Sequence, residues 1–557
     1  MPCDMTSDGP LLEPGHNCWR IEVANRATVI VDADDYFTAA RAAMVQAKKQ
    51  ILLVGWDFDP RIRFAGNADD GGPDEVGAFM TWLVERTPGL QIHILRWDAG
   101  ALKTLFQAKA LARLTEWIIN PQIHLRLDPH HPPAGSHHQK VVVIDDGLAF
   151  CGGIDMTVDR WDTREHRDDE PRRAEPDGTP YGPWHDATTM LEGPVAVALG
   201  EMCRARWEVA GGERLDPVAG GGDCWPGHVK PDFTDIEVGI ALTVPEMADQ
   251  QPRYEIETLY VDLIRRAKRW VYAESQYFAS RRVAEAMADR LARPDCPEFV
   301  IILPTSSEGW LEPVAMDSAR ARLVEALHER DPHGRLRLYH PFTAGGEPIY
   351  VHAKVTVIDD EILRVGSSNF NNRSLRLDTE CDVVIDAASA ANTDERSTIA
   401  GLRNALLAEH LGTDCETIET LLAETGSIIA TVERLRGSGR SLRPYEVPDL
   451  DGVRAWLADN KILDPEGPGE MFEPLSRRTS LLSRLRPHLR QDNGNFTPVA
   501  TAVLLTGVVA VLAFAGIRFL RGSQGRRQLA GARSKKSIST SSRCSSRVSA
   551  SRNRLIS

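Results

Sequence analysis

No two of the nine cysteines stand at C-x-x-C spacing, and the set is odd and scattered from Cys3 to Cys544. That pattern excludes a disulfide framework and gives a structural zinc site no ligand motif, so reduced thiols and no metal are expected. The first residues, Met-Pro-Cys-Asp-Met-Thr-Ser-Asp, have neither a basic n-region nor an apolar h-region, and no secretory signal is expected. Positive charge is outnumbered by negative charge outside the end of the chain. Net charge is -14, and residues 518–557 carry eleven Lys/Arg with no acidic residue, which leaves -25 on residues 1–517. A body that acidic repels a polyanion at long range, which argues against a nucleic-acid binder.

The chain is too long at 557 residues for one ordinary domain. What it does contain is one triplet twice, about 214 residues apart. His138, Lys140 and Asp145 stand in His-Gln-Lys-Val-Val-Val-Ile-Asp, and His352, Lys354 and Asp359 stand in His-Ala-Lys-Val-Thr-Val-Ile-Asp. One such triplet is expected by chance at roughly one position in ten thousand. Each copy opens an apolar, β-branched run. Each is followed 14 residues after its histidine by a small-residue turn, Gly152-Gly153 in one case and Gly366-Ser367-Ser368 in the other.

The surroundings repeat as well. A helical pattern at Tyr36–Lys49 precedes an apolar strand at Ile51–Gly55, and Tyr254–Arg269 precedes Val271–Ala273. Second strands follow at Ile92–Leu95 and Phe299–Leu303, and last strands at Thr188–Leu191 and Asp382–Ile385. Strands alternating with helices indicate α/β layering. The expected architecture is two homologous α-β-α halves, 1–215 and 216–390, each with its own mixed sheet, packed about a pseudo-two-fold axis. Residues 157–183, rich in Arg, Asp, Glu, Pro and Gly, read as a surface loop inserted into the first half. Residues 391–492 read as a helical extension followed by a linker from 437. Residues 493–517 carry no charged side chain. That stretch reads as a transmembrane helix, 493–520, followed by a basic, disordered tail, 521–557. A single-pass protein is therefore expected, with its catalytic body on the cytoplasmic face; a monomer is expected.

On a strand, side chains two apart share a face. His138 and Lys140, and likewise His352 and Lys354, can converge on one pocket of two imidazoles and two ammoniums, with no carboxylate in contact. Such a pocket suits phosphate. Two histidines suit a two-step displacement: one attacks phosphorus, and the other protonates the leaving oxygen and later deprotonates the acceptor. Each histidine needs an acceptor for its second nitrogen. Asp186, in Trp-His-Asp, and Glu380, in Asp-Thr-Glu, are the candidates. Asp145 and Asp359 lie at the far ends of their strands and are expected to be structural. Trp56 and Tyr277, at equivalent strand ends, are candidate pocket walls, and His137 should face away from the pocket.

The duplicated motif resembles the signature of the phospholipase D superfamily, over about residues 20 to 390. Trp56-Asp57-Phe58-Asp59-Pro60, Gly152-Gly153-Ile154-Asp155, Glu165-His166-Arg167, Glu274-Ser275-Gln276-Tyr277-Phe278 and Gly366-Ser367-Ser368-Asn369 are more similar to the phosphatidylcholine-hydrolysing members than to the nucleases. The resemblance implies a phosphohistidine mechanism without cofactor, with His138 as nucleophile and His352 as general acid/base. It implies that Asn369, together with Ser367 and Gly153 of the two turns, meets the substrate phosphate; Asp155 stands at the position equivalent to Asn369. Phospholipid hydrolysis to phosphatidic acid, or phosphatidyl transfer to an alcohol, is the leading expectation. The alternatives are a cardiolipin-synthase-like phosphatidyltransferase, a nuclease-type phosphodiesterase and a non-catalytic lipid-binding module.

Overall fold

The computed structural model describes residues 9–64, 70–98, 117, 120–132, 135–219, 222–307 and 312–448. The elements up to residue 215 are β1 (Arg20–Val31), α1 (Ala33–Met44), β2 (Gln50–Gly55), α2 (Val76–Arg86), β3 (Gln91–Trp97), β4 (Ile123–Asp128), β5 (Val141–Ile144), β6 (Leu148–Gly152), β7 (Trp184–His185), β8 (Ala187–Glu192) and α3 (Pro194–Val209). Then follow β9 (Phe233–Val244), β10 (Arg253–Tyr254), α4 (Glu255–Arg266), β11 (Trp270–Glu274), α5 (Arg281–Leu291), β12 (Glu298–Ile302), α6 (Glu312–His328), β13 (Leu336–Phe342), β14 (Tyr350–Val351), β15 (Val355–Ile358), β16 (Ile362–Gly366), α7 (Asn372–Arg376) and β17 (Glu380–Asp386). The remaining elements are α8 (Arg396–Leu411), α9 (Cys415–Thr425), α10 (Ile428–Leu435) and β18 (Ser441–Pro444).

The strands do not form one sheet per half. They form a single 16-stranded mixed sheet in the order β18-β13-β12-β11-β15-β16-β17-β9-β1-β8-β6-β5-β2-β3-β4, with β10 on β9. From β4 inward and from β13 inward the pairings run in the same senses. Two parallel junctions come first, then antiparallel ones, until β1 and β9 pair antiparallel in the middle. The physical reason for one sheet is the edge: β1 and β9 would each leave a twelve-residue row of unpaired backbone groups, and pairing them removes both rows.

Helices cover both faces, which explains why the motif strands are apolar without interruption. Val141 and Val143 of β5 join Val355 and Val357 of β15 in one core shared with α3 and α8. The alternate residues Val142 and Ile144 face a second core under α1 and α2, while Ile358 faces a third under α4 and α5.

Two expectations are corrected here. The stretch read as a linker from 437 contributes β18, which pairs antiparallel with β13 at the sheet edge and buries Leu442. The insert 157–183 is not wholly a surface loop: Arg160, Asp162, His166 and Arg173 are buried. The single-pass localisation, with a cytoplasmic catalytic body, is also withdrawn. No helix among the described residues is long and apolar enough to cross a membrane. The expected span at 493–520 and the tail at 521–557 lie outside the described residues.

Candidate active site

The motif aspartates occupy matching hairpins. Asp145 and Asp146 between β5 and β6, and Asp359 and Asp360 between β15 and β16, all have positive φ, from 50° to 58°. Asp is among the few residues with a side chain that tolerate positive φ at two successive positions of such a three-residue turn. Each first aspartate accepts three backbone N–H bonds at the start of the adjoining strand: Asp145 from Lys48, Lys49 and Gln50, Asp359 from Lys268, Arg269 and Trp270, at 2.6–2.9 Å. They lock hairpin to strand at the ends remote from the histidines.

The histidines precede β5 and β15, and each is docked on the opposite half of the chain. His138 N donates to Thr379 O at 2.9 Å, and His138 Nδ1 lies 3.0 Å from both oxygens of Glu380. His352 N donates to His185 O at 2.7 Å, and His352 Nδ1 lies 2.6 Å from Asp186 Oδ2. In both cases the backbone acceptor directly precedes the carboxylate in sequence. A two-stranded parallel ladder, β7 with β14, frames the His352 side. His137 faces away, with Nδ1 3.0 Å from Thr379 Oγ1 and Nε2 3.3 Å from Asp128.

The pocket differs from expectation in holding a third carboxylate. Asp155 Oδ2 pairs with Lys140 Nζ at 3.0 Å while its Oδ1 accepts Trp56 N. The burial of Lys140 explains this, since a cation taken out of water needs a counter-charge or hydrogen bonds. Lys140 Nζ also donates to His138 O at 2.8 Å, and Lys354 Nζ donates to His352 O. The position equivalent to Asp155 is Asn369, whose Oδ1 accepts Gln276 N at 3.3 Å. Lys354, with no carboxylate at ion-pair distance among the described residues, is pushed down to about 7 by burial.

Burial, then Lys140 and Lys354, hold the His138 imidazole well below its ordinary range. Burial, then Lys354, Arg160, Lys140 and His138, do the same for His352. Both rings are therefore neutral at neutral pH, as a nucleophile or a base must be. Burial pushes Glu380 up to about 8, against hydrogen bonding from Ser367. A carboxyl raised in the folded state binds a proton that the unfolded chain has already lost, so its contribution to stability falls as pH rises from about 4.5 to about 8. Wild-type protein should therefore lose on the order of 2 kcal/mol relative to Glu380→Gln between pH 5 and 9. Denaturation midpoints of the two proteins that keep a constant gap across that range would show the shift is absent.

The turn residues are constrained by close approach. A Cβ on Gly153 would lie 2.1 Å from Asp186 Oδ1 and 3.2 Å from Ala187 O. A Cβ on Gly366 would lie 2.0 Å from Asp382 Oδ1. Ser367, which follows Gly366 as Gly153 follows Gly152, donates instead to Glu380 Oε2 at 2.5 Å. Gly153→Ala should displace Asp186, and hence His352, and lower kcat about 100-fold for about 1–3 kcal/mol of stability. Steady-state rates and thermal melts on the same preparation check this; unchanged kcat would show that Asp186 is free to move.

Trp56 is half-buried and stacks on Trp97, while Tyr277 is partly exposed with its carbonyl accepting from Ser275 Oγ. Side chains missed from the sequence stand closer to His352. Trp184 lies against its ring at 5.2 Å and stacks on Tyr350 at 4.6 Å. Tyr350 OH accepts from Gln276 Nε2 at 2.9 Å. Arg160, from the insert, lies over Trp184 at 4.2 Å and adds positive charge to the His352 side. Trp184 is the first residue of Trp-His-Asp and is legible there; nothing in a charge-rich insert marks Arg160 as the residue that turns inward.

A family model described as "Cardiolipin synthase, PLD-like domain" matches residues 260–397. Phospholipase D alpha 1 of Nicotiana tabacum is 25% identical over 77% of this chain and 68% of its own length. Phospholipase D alpha 1 of Carica papaya is 24% identical over 80% of this chain and 69% of its own. Among solved structures, phosphatidylserine synthase of Haemophilus influenzae Rd KW20 covers 74% of this chain and 95% of its own, at 13% identity and a TM-score of 0.48. Two motif histidines each held by a carboxylate, that family model in the second half, and plant relatives along most of the chain are what this protein shares with the phospholipase D superfamily.

Proposed function

We propose that the protein cleaves the headgroup phosphodiester of a glycerophospholipid, passing the phosphatidyl group through His138 to water or to an alcohol. The observation that carries this reading is the pair of crossed contacts, His138–Glu380 and His352–Asp186. Each leaves Nε2 as the reactive nitrogen and, with the carboxylate ionised, fixes the tautomer through Nδ1. The two halves, 1–215 and 216–390, are read as one duplicated unit about a pseudo-two-fold axis, which brings the histidines to one substrate from opposite sides.

In the first step His138 Nε2 attacks phosphorus, the bond to the headgroup oxygen breaks, and His352, which takes up a solvent proton on Nε2 as the anionic phosphodiester binds, gives that oxygen the proton. In the second, His352 takes a proton from water or alcohol, whose oxygen attacks phosphorus and breaks the P–N bond. His138 is assigned as nucleophile because its side chain is 16% exposed against 5% for His352. Lys354, Asn369 and Arg160 are assigned to the phosphate oxygens, since Lys140 is committed to Asp155. Phosphatidyl transfer to a second lipid alcohol is the second reading, favoured by the description of the family model.

Phosphatidylcholine vesicles incubated with the protein and ethanol should give choline, phosphatidic acid and phosphatidylethanol. Absence of all three, with phosphatidylethanolamine, phosphatidylserine and phosphatidylglycerol also untouched, would refute the lipid reading; DNA cleavage in the same samples would point to nuclease chemistry.

A further inference from the structure

Behind the Asp186 side of the site lies a second polar cluster that the proposed reaction does not use. Asp32, His166, His185 and Glu409 are all buried, and one donor atom of each lies within 4.8 Å of the others. They come from the residue between β1 and α1, the insert, β7 and α8. His166 Nε2 is 3.5 Å from Asp32 Oδ2 and 3.1 Å from Glu409 Oε1. His185 Nδ1 is 3.4 Å from Asp32 Oδ1 and 2.9 Å from Glu409 Oε1.

Three observations separate this from an ordinary ion-pair network. First, Asp32 Oδ2 and His185 Nδ1 are buried and make no hydrogen bond, although carboxylate oxygens stand near His185 Nδ1. These two atoms are left unpartnered, while His166 Nε2 and Glu409 Oε1 meet in a hydrogen bond at 3.1 Å. Second, the spacing is that of ligands around one ion. Ligands about 2.0–2.1 Å from a zinc ion stand about 3.3 Å apart, and with Asp32 Oδ2 as its ligand atom the distances His166–Asp32, His166–Glu409 and His185–Glu409 are 3.5, 3.1 and 2.9 Å. Third, each ligand is held on its far side. His166 Nδ1 meets Asp162 at 2.9 Å, and His185 Nε2 meets Glu274 at 2.9 Å. Glu409 Oε2 accepts from Arg164 at 2.7 Å, and Asp32 Oδ1 accepts from Asp186 N at 3.0 Å. Carboxylates on the second nitrogen of each imidazole are the usual support of metal-bound histidine. Asp32 is also held at φ 66°, a conformation that a side-chain-bearing residue keeps only where its surroundings enforce it.

We infer that Asp32, His166, His185 and Glu409 bind a divalent transition-metal ion, zinc by its preference for a closed tetrahedral N2O2 set. Two imidazoles and only four donors disfavour calcium and magnesium, which take six or more oxygens. The role is structural. The same elements hold Asp186 through its amide, and His352 N and Ala353 N both donate to the His185 carbonyl. The ion would tie the insert and the C-terminal helices to the strand end that carries Asp186. The inference stands on this cluster and holds whether or not the substrate is a phospholipid.

The test is metal content of the full chain grown with Zn2+ and dialysed against metal-free buffer. About one equivalent is expected, and Co2+ in its place should give the visible d–d absorption of a tetrahedral site. His166→Ala should lose the ion. Glu409→Gln, which keeps shape and volume, should weaken zinc binding at least about 10-fold and lower the melting temperature in zinc towards that of chelator-treated wild type. Less than about a tenth of an equivalent in wild type, with melting unchanged by Zn2+ or by a strong chelator, overturns the inference and leaves a cluster held by protonated histidines. Full retention of zinc by Glu409→Gln and His166→Ala overturns it too.

Discussion

His352→Asn is expected to lower phosphatidylcholine turnover at least about 1000-fold, yet to leave the first chemical step intact on a substrate whose leaving group needs no proton. Choline oxygen is a poor leaving group and must be protonated as its bond to phosphorus breaks. A nitrophenolate leaves as the anion. With a nitrophenyl phosphodiester, His352→Asn should release about one equivalent of nitrophenol in a burst and then stall. The base that activates water in the second step is missing, and the phosphate stays on His138. His138→Asn should give no burst with either substrate. The opposite pattern, a burst with His138→Asn and none with His352→Asn, would reverse the two roles. Equal small losses in both would remove the covalent intermediate.

The parts of this site that could be read from the sequence are the local ones. A β-branched run flanked by His-x-Lys and a small-residue turn defines its strand by short-range physics, and the repeat placed both copies without knowledge of packing. Asp186 and Glu380 were legible because each stands just before a last strand, in matching places. That Glu380 serves His138 and Asp186 serves His352 was not legible, because a contact 242 or 166 residues apart depends on how the two halves meet. The continuous sheet was hidden for the same reason: nothing in β1 or β9 alone says which edge it covers. Asp155 could be aligned with Asn369, but its pairing with Lys140 follows from burial, which a pattern does not encode. The zinc candidates are the extreme case, four ligands from four segments between residues 32 and 409, so no spacing rule could gather them.

Because the pairs are crossed, replacing a carboxylate in one half should disable the histidine of the other, and the two replacements should fail at different steps. Ala187 N donates to Asp186 Oδ1 at 2.8 Å, so an Asn at 186 keeps its oxygen there and turns its NH2 towards His352 Nδ1. That forces the proton of His352 onto Nε2, and the ring can no longer act as a base. Asp186→Asn should lower kcat about 1000- to 10000-fold, with KM little changed, and should still show the nitrophenol burst. Glu380→Gln meets Ser367 Oγ on one side and His138 Nδ1 on the other. Its oxygen accepts from Ser367 and its NH2 faces the imidazole, so the proton moves to His138 Nε2, the attacking atom. No burst should appear. Rapid-quench measurement of nitrophenol on both variants decides the matter: a burst in Glu380→Gln and none in Asp186→Asn would mean that each carboxylate governs the histidine of its own half, against the geometry of the pairs.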